Sequence, residues 1–240
     1  MPQYRVKLNK REAVAEGTLA FHFDKPTGFA YKAGQFLELT LVDPPETDAK
    51  GDSRAFSIAS APSEPHLMVA TRMRDTAFKR VMRELPLGAE VQIDGPFGNL
   101  ILHNNTARPA VFVAGGIGIT PFRSIVFRAA RERLPHRLFL FYSNRRPEDA
   151  AFLGELQALR AENPNYSLVD TMTGMERGAD SRRAETDRIS KEMLLRHLGD
   201  LNGPIYYIAG PPAMVGAMQQ LLNSAGVNDD DIRSEEFAGY

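Results

Sequence analysis

The sequence contains no cysteine. That single absence excludes disulfides, a thiolate nucleophile, and any cysteine-ligated iron–sulfur cluster or structural zinc in this chain. Redox chemistry here would need an organic cofactor. The five histidines, at positions 22, 66, 103, 136 and 197, show no metal-ligand spacing, so no metal is assigned. An excess of charge is lacking too, with 29 lysines and arginines against 30 acids. No net positive field then draws the chain to phosphate backbones or anionic lipid, and neither nucleic acid nor membrane is expected as a partner. No apolar run is long enough to span a bilayer, and the opening MPQYRVKLNK alternates in polarity without the apolar core of a signal peptide. These features predict a cytoplasmic protein.

What is present is the composition of an ordered globular chain, 43% hydrophobic and 25% charged, without low-complexity tracts. At 240 residues it suits two domains, each able to bury its own core. From Tyr4 to about Leu102 short alternating runs broken by glycine and proline predict antiparallel strands, among them Thr18 to Phe23, Gln35 to Leu41, Leu67 to Met73 and Glu90 to Ile93. One helix interrupts them: Phe78, Val81, Met82 and Leu85 follow helical spacing behind Thr76, and Pro86 with Gly88 closes it. Short strands with one capping helix favour a barrel over a sandwich.

After Arg108 the pattern changes to nearly continuous apolar runs, Ala110 to Ala114, Leu138 to Tyr142 and Ile205 to Ala209. Such runs read as parallel strands buried on both faces. Helical patterns follow them, marked by Phe152, Leu156 and Leu159, and by Met214, Met218, Leu221 and Leu222. The expected fold class is an antiparallel Greek-key β-barrel followed by a doubly wound parallel α/β sheet, with domains at 1–105 and 106–240.

The strongest motif is Gly115-Gly116-Ile117-Gly118-Ile119-Thr120-Pro121, directly after the strand Val111 to Ala114. Glycines let a backbone approach a pyrophosphate, Thr120 is a good N-cap, and Pro121 at the first helical position leaves the helix amides aimed at the loop. No lysine follows as a Walker loop needs, and proline stands where the usual dinucleotide fingerprint wants glycine or alanine. Upstream, Arg54-Ala55-Phe56-Ser57-Ile58-Ala59-Ser60 reads as a strand with Arg54, Phe56 and Ile58 on one face. Gly95-Pro96-Phe97-Gly98 and Gly210-Pro211-Pro212 complete a recurring order.

In that order and spacing the chain resembles the ferredoxin–NADP reductase superfamily over nearly its whole length. The family's R-x-Y-S strand, barrel-helix start, G-G-x-G-x-T-P loop and C-G-P segment all have counterparts. The resemblance implies that Arg54 pairs with a flavin phosphate, Phe56 packs on the flavin ring and Ser57 hydrogen-bonds near its N5. It implies phosphate contacts at Arg72 and Thr76, with FAD favoured over FMN, and an NAD(P)H pyrophosphate on Gly115, Gly116, Gly118 and Thr120 beside Pro121. Gly210 and Pro211 would guide the nicotinamide. The tail Glu235-Glu236-Phe237-Ala238-Gly239-Tyr240 matches the family's E-x-aromatic ending, so Glu235 is the matching acid, while Phe237 and Tyr240 compete as the ring over the flavin.

Two positions depart from the family. Phe56 stands for tyrosine and loses one hydroxyl, worth about 0.5–1.5 kcal/mol of flavin affinity, and Ala209 stands for the cysteine of C-G-P. Arg145 or Arg146 at the end of the second parallel strand offers a charge for a 2′-phosphate, Arg182 and Arg183 form a second cluster, and the choice between NADH and NADPH stays open. The expected activity is hydride exchange between NAD(P)H and a bound flavin, with electrons passed to a separate acceptor such as ferredoxin, flavodoxin or an oxygenase component. A non-catalytic flavin- or nucleotide-binding subunit and a flavin-free dehydrogenase are the competing classes.

Overall fold

A computed structural model describes residues 3–175 and 188–237. Six antiparallel strands come first: β1 (Tyr4–Ala15), β2 (Thr18–Phe23), β3 (Phe36–Leu41), β4 (Ser53–Ser57), β5 (Leu67–Arg72) and β6 (Glu90–Phe97). They form one sheet in the order β4-β3-β6-β1-β2-β5. Beyond β4 the chain turns towards β5, where the Ala59 N–H donates to Met68 O at 2.8 Å and draws the two edges together. The alternation visible in the sequence sends Val6 and Leu8 of β1 and Val91 and Ile93 of β6 inwards, where they meet Phe21, Phe23, Leu37, Leu39 and Phe56. Each such buried side chain contributes about 1.5–3 kcal/mol.

Helix α1 (Ala77–Glu84) covers one opening, with Phe78 and Met82 buried in the barrel core. Its cap is Thr76, as expected: the residue is extended and its hydroxyl accepts from the Lys79 N–H. The expected strand Arg54 to Ser60 is shorter than its sequence pattern, because β4 ends at Ser57 and Ile58 onwards bends across to β5.

The second sheet is parallel, with β7 (Ala110–Gly115), β8 (Leu138–Asn144), β9 (Tyr166–Met172), β10 (Ile205–Gly210) and β11 (Ile232–Glu236) in the order β11-β10-β7-β8-β9. Helices α2 (Ile119–Arg131), α3 (Leu153–Glu162), α4 (Lys191–Leu198) and α5 (Pro212–Ser224) cover it. Residues of β7 alternate between two cores: Phe112 and Ala114 pack with Phe122 and Ile125 of α2, while Val111 and Val113 pack with Met193 of α4 and Val215 of α5. Burial on both faces explains the uninterrupted apolar runs. The first of these cores continues into the barrel through Ala20, Ala59, Met68 and Ala70. Among the described residues no helix is long and apolar enough to cross a membrane.

The strand order reverses between β7 and β10, and the carboxyl ends of strands at such a reversal form the crevice where doubly wound sheets bind ligands. Both glycine motifs lie there. Gly115 ends β7 and Gly210 ends β10.

Candidate functional site: a cleft between the two sheets

Two corrections concern the glycine turn. Thr120 is not the N-cap of the following helix: Gly116–Gly118 form a short 3-10 turn, α2 starts at Ile119, and Gly118 is its cap. Thr120 is buried in the first turn, where its hydroxyl donates to Ile117 O at 3.0 Å. The extra turn arises because Gly116, at φ +53°, bends the chain early enough for the helix to be capped at Gly118, two residues before Thr120. Pro121 then falls at the third helical position, where its missing N–H costs nothing because the first-turn amides have no intrahelical partner.

The glycines do different work. A Cβ at Gly118 would lie 2.2 Å from Ala209 O, so this glycine allows the turn to sit directly on β10. A Cβ at Gly116 would meet nothing within 4 Å, so its left-handed backbone faces open space where a ligand has access. Gly115 is crowded by Met214 of α5 and by Pro211.

The barrel side of the crevice is a cavity of about 360 Å³ lined by Phe36, Ala55, Phe56, Ser57, Glu235, Glu236 and Phe237. Ser57 is buried and its Oγ has no hydrogen-bond partner among the described residues. A buried, unsatisfied hydroxyl is uncommon and marks a place where a polar ligand atom belongs. Burial raises the Glu235 carboxyl to about 7, well above the usual carboxylate range. Phe36 had no sequence signal of its own; it reaches the cavity because it pairs with Ser57 across β3 and β4 and packs against Phe97 at 5.6 Å.

This cavity and the glycine turn lie at the carboxyl ends of neighbouring strands of the parallel sheet. Glu235 is in register with Ala209 of β10, which is in register with Ala114 of β7, so two strand spacings, about 10 Å, separate the cavity wall from the start of the turn. The Phe237 N–H donates to Gly210 O at 2.9 Å, tying the tail to the second glycine motif. The turn also touches β5 of the barrel.

A basic cluster lies at the start of α1. Lys79, which sequence reasoning passed over, donates from Nζ to Arg72 O at 2.7 Å, and burial together with Arg74 and Arg54 lowers its ammonium to about 8. The only sequence hint was a lysine in the first turn of a helix flanked by arginines. Arg54 lies over the Phe78 ring at 5.0 Å; its Nη1 donates to the carbonyls of Lys50, Gly51 and Ser53, and its Nη2 to Asp48 at 2.7 Å. The Lys50 N–H and the Arg54 guanidinium hold the Asp48 carboxyl below the usual range. Arg72 pairs with Asp149 of the second half at 3.6 Å.

At the end of β8, Arg145 is exposed, whereas Arg146 pairs with Glu16 and Asp149. Arg182, Arg183 and Tyr240 lie outside the described residues. A larger cavity, about 500 Å³, opens elsewhere on the seam, but Glu12, Glu148 and Glu155 on its wall suit no phosphate. Among the described residues no group of three or more His, Cys, Asp or Glu could hold a metal ion.

Residues 112–220 match the family described as "Oxidoreductase NAD-binding domain". The chain is 25% identical over 211 residues to reductase component 2 of terephthalate 1,2-dioxygenase from Comamonas sp, covering 87% of this chain and 60% of that protein. It is 26% identical over 223 residues to the glycine betaine monooxygenase reductase subunit of Chromohalobacter salexigens, covering 92% and 60%. The chain thus spans 60% of the length of these curated relatives. Among solved structures, a ferredoxin NADP+ reductase from Neisseria gonorrhoeae, with bound FAD and NADP, superposes with a TM-score of 0.81 at 22% identity, covering 98% of each chain.

Proposed function

We propose that the chain is a member of the ferredoxin–NADP reductase superfamily and an NAD(P)H-dependent flavoprotein reductase, holding FAD in the barrel cleft and supplying electrons to a separate acceptor. Ferredoxin, flavodoxin and an oxygenase component are the acceptor classes that fit. The names of the relatives, reductase components of a dioxygenase and of a monooxygenase, favour the last. We place the division between the flavin-holding and nucleotide-holding portions at 105/106, inside the strandless stretch 98–109.

One observation carries the reading: the Ser57 hydroxyl, without a partner among the described residues, and the Glu235 carboxyl line an aromatic-walled cavity beside the carboxyl end of β10, next to the strand reversal where the glycine turn lies. Flavin and nicotinamide, when bound, supply a two-electron exchange and single-electron release to an acceptor. The protein's part is placement and exclusion of water. Phe36, Phe56 and Phe237 offer flat apolar walls, Ser57 Oγ offers a hydrogen bond, and Glu235 sets a carboxyl against the cavity. Arg54, Lys79 and the Thr76-capped start of α1, with Arg72 at the end of β5, form the cationic cradle for the flavin's phosphates. Gly116 to Thr120 would hold the dinucleotide's pyrophosphate, Gly210 and Pro211 its nicotinamide end, and exposed Arg145 a 2′-phosphate.

Anaerobic titration of the FAD-loaded chain with NADH and then NADPH tests this through flavin absorbance. Stoichiometric bleaching is expected with at least one of them, and reoxidation should need an added acceptor. A protein that binds both cofactors without bleaching would be a binding subunit, and one that never takes up flavin would overturn the proposal.

A further inference from the structure

We propose that Arg123 of α2 is a positioning residue that sets the separation between the Ser57 cavity and the glycine turn by clamping both halves of the molecule; this rests on the reductase reading above. Arg123 follows Gly118 by five residues, about 7.5 Å along a helix that begins at the turn, yet it is only 5% exposed. Its guanidinium is filled from both sides of the seam. Nη1 donates to Ala59 O at 2.9 Å and to Glu64 Oε2 at 2.9 Å, and Nη2 to Glu64 Oε1 at 3.1 Å, all on the barrel side. Nε donates to Glu155 Oε1 at 2.6 Å and Nη2 to Glu155 Oε2 at 3.0 Å, both on α3. Five donors thus meet five acceptors, and the ring of Phe127 lies 4.4 Å from the guanidinium carbon and that of Phe152 5.2 Å.

The barrel acceptors are placed where they matter. Ala59 is two residues beyond Ser57, and the neighbouring Ser124 of α2 donates from Oγ to Ser60 O at 2.6 Å. Glu64 is itself held by the Ala61 N–H. One helix therefore carries the glycine turn at its start and grips, one turn later, the segment that follows Ser57. A buried cation is a poor device for stability alone, since well-packed apolar residues stabilise as well or better. What the planar fork adds is a fixed geometry, which lysine cannot reproduce.

The test uses the FAD-loaded full chain and the variants Arg123→Ala, Arg123→Lys, Glu64→Gln and Glu155→Gln. Flavin affinity, affinity for oxidised dinucleotide, and the limiting rate of flavin reduction at saturating NAD(P)H are measured separately. A displacement near 1 Å costs about 100-fold in rate, so Arg123→Ala and Arg123→Lys should reduce flavin about 10- to 100-fold more slowly with both affinities held within about threefold. Added guanidinium ion should recover part of the rate in Arg123→Ala and none in the glutamate variants. If the Arg123 variants do not fold, Glu155→Gln, which leaves the barrel contacts in place, should still slow reduction severalfold. Wild-type limiting rates in the folded variants, or losses confined to affinity, overturn the inference. A wild-type protein that binds both cofactors and leaves the flavin oxidised overturns the functional reading and this inference with it, and that outcome is visible before any variant is made.

Discussion

Gly118→Ala separates packing from ligand access in the glycine turn. The new methyl carbon would stand 2.2 Å from Ala209 O, 2.4 Å from Ala209 C and 2.7 Å from Gly210 N, all backbone atoms of β10. Carbon and oxygen normally approach to about 3.3 Å, so the start of α2 must retreat from β10 by about 1 Å. The backbone at 118 is already helical, with φ −59°, and adds no strain of its own. Overpacking of this kind costs about 1–3 kcal/mol. For a chain of this size that lowers Tm by about 2–12 °C. The same 1 Å shift carries the turn away from the cleft and should slow flavin reduction about 100-fold. Gly116→Ala is the control: its methyl enters open space, and only the left-handed backbone, at φ +53°, is disfavoured, by about 1–2 kcal/mol. It should weaken dinucleotide binding more than it slows reduction at saturation. Thermal unfolding and single-turnover reduction read both effects. Gly118→Ala with a wild-type Tm and a wild-type reduction rate would refute the close approach of the turn to β10.

Glu235→Gln should be more stable than wild type above pH 7 and equally stable at acid pH. Burial raises the folded carboxyl to about 7 from 4.5, so wild-type stability falls as pH climbs through that window, and a glutamine removes the slope, as pH-dependent melting of the flavin-free chain would show. Lys79, lowered to about 8, loses its charge above that pH, so affinity for FAD should weaken as pH rises from 7 to 9 in wild type and stay flatter in Lys79→Met, measured by fluorescence titration. Arg145→Ala should cost NADPH affinity about tenfold, the loss of one charge-assisted hydrogen bond, and leave NADH unchanged; equal effects on both would show the arginine to be merely solvated.

Both layers of the fold were legible because their periods differ: alternation in β1 and β6 puts one face inside a barrel, and uninterrupted runs in β7, β8 and β10 require helices on both faces. The strands that escaped notice are the edges of the parallel sheet. In β9, Ser167 and Asp170 break the apolar run, and β11 is Ile-Arg-Ser-Glu-Glu, which exposes much of its length and carries no hydrophobic signature. The site was half visible. Glycine turn, Ser57 and Glu235 could be named from motif order, but the cavity that joins Ser57 to Glu235 depends on β11 running beside β10, a pairing of residues distant in sequence. Thr120 was misplaced because a good capping residue says nothing about a preceding turn of 3-10 helix. Arg123 gave no signal and Lys79 only a weak one, since a lone arginine or lysine in a helix is ordinarily solvated and only the packed structure shows Arg123 buried and Lys79 partly so.

The most direct measurement is rapid anaerobic mixing of the FAD-loaded chain with reduced dinucleotide carrying deuterium or hydrogen at C4. Direct transfer within one crevice requires the flavin to bleach in a single turnover, more slowly with deuterium. A flavin that stays oxidised at saturating dinucleotide would contradict the account.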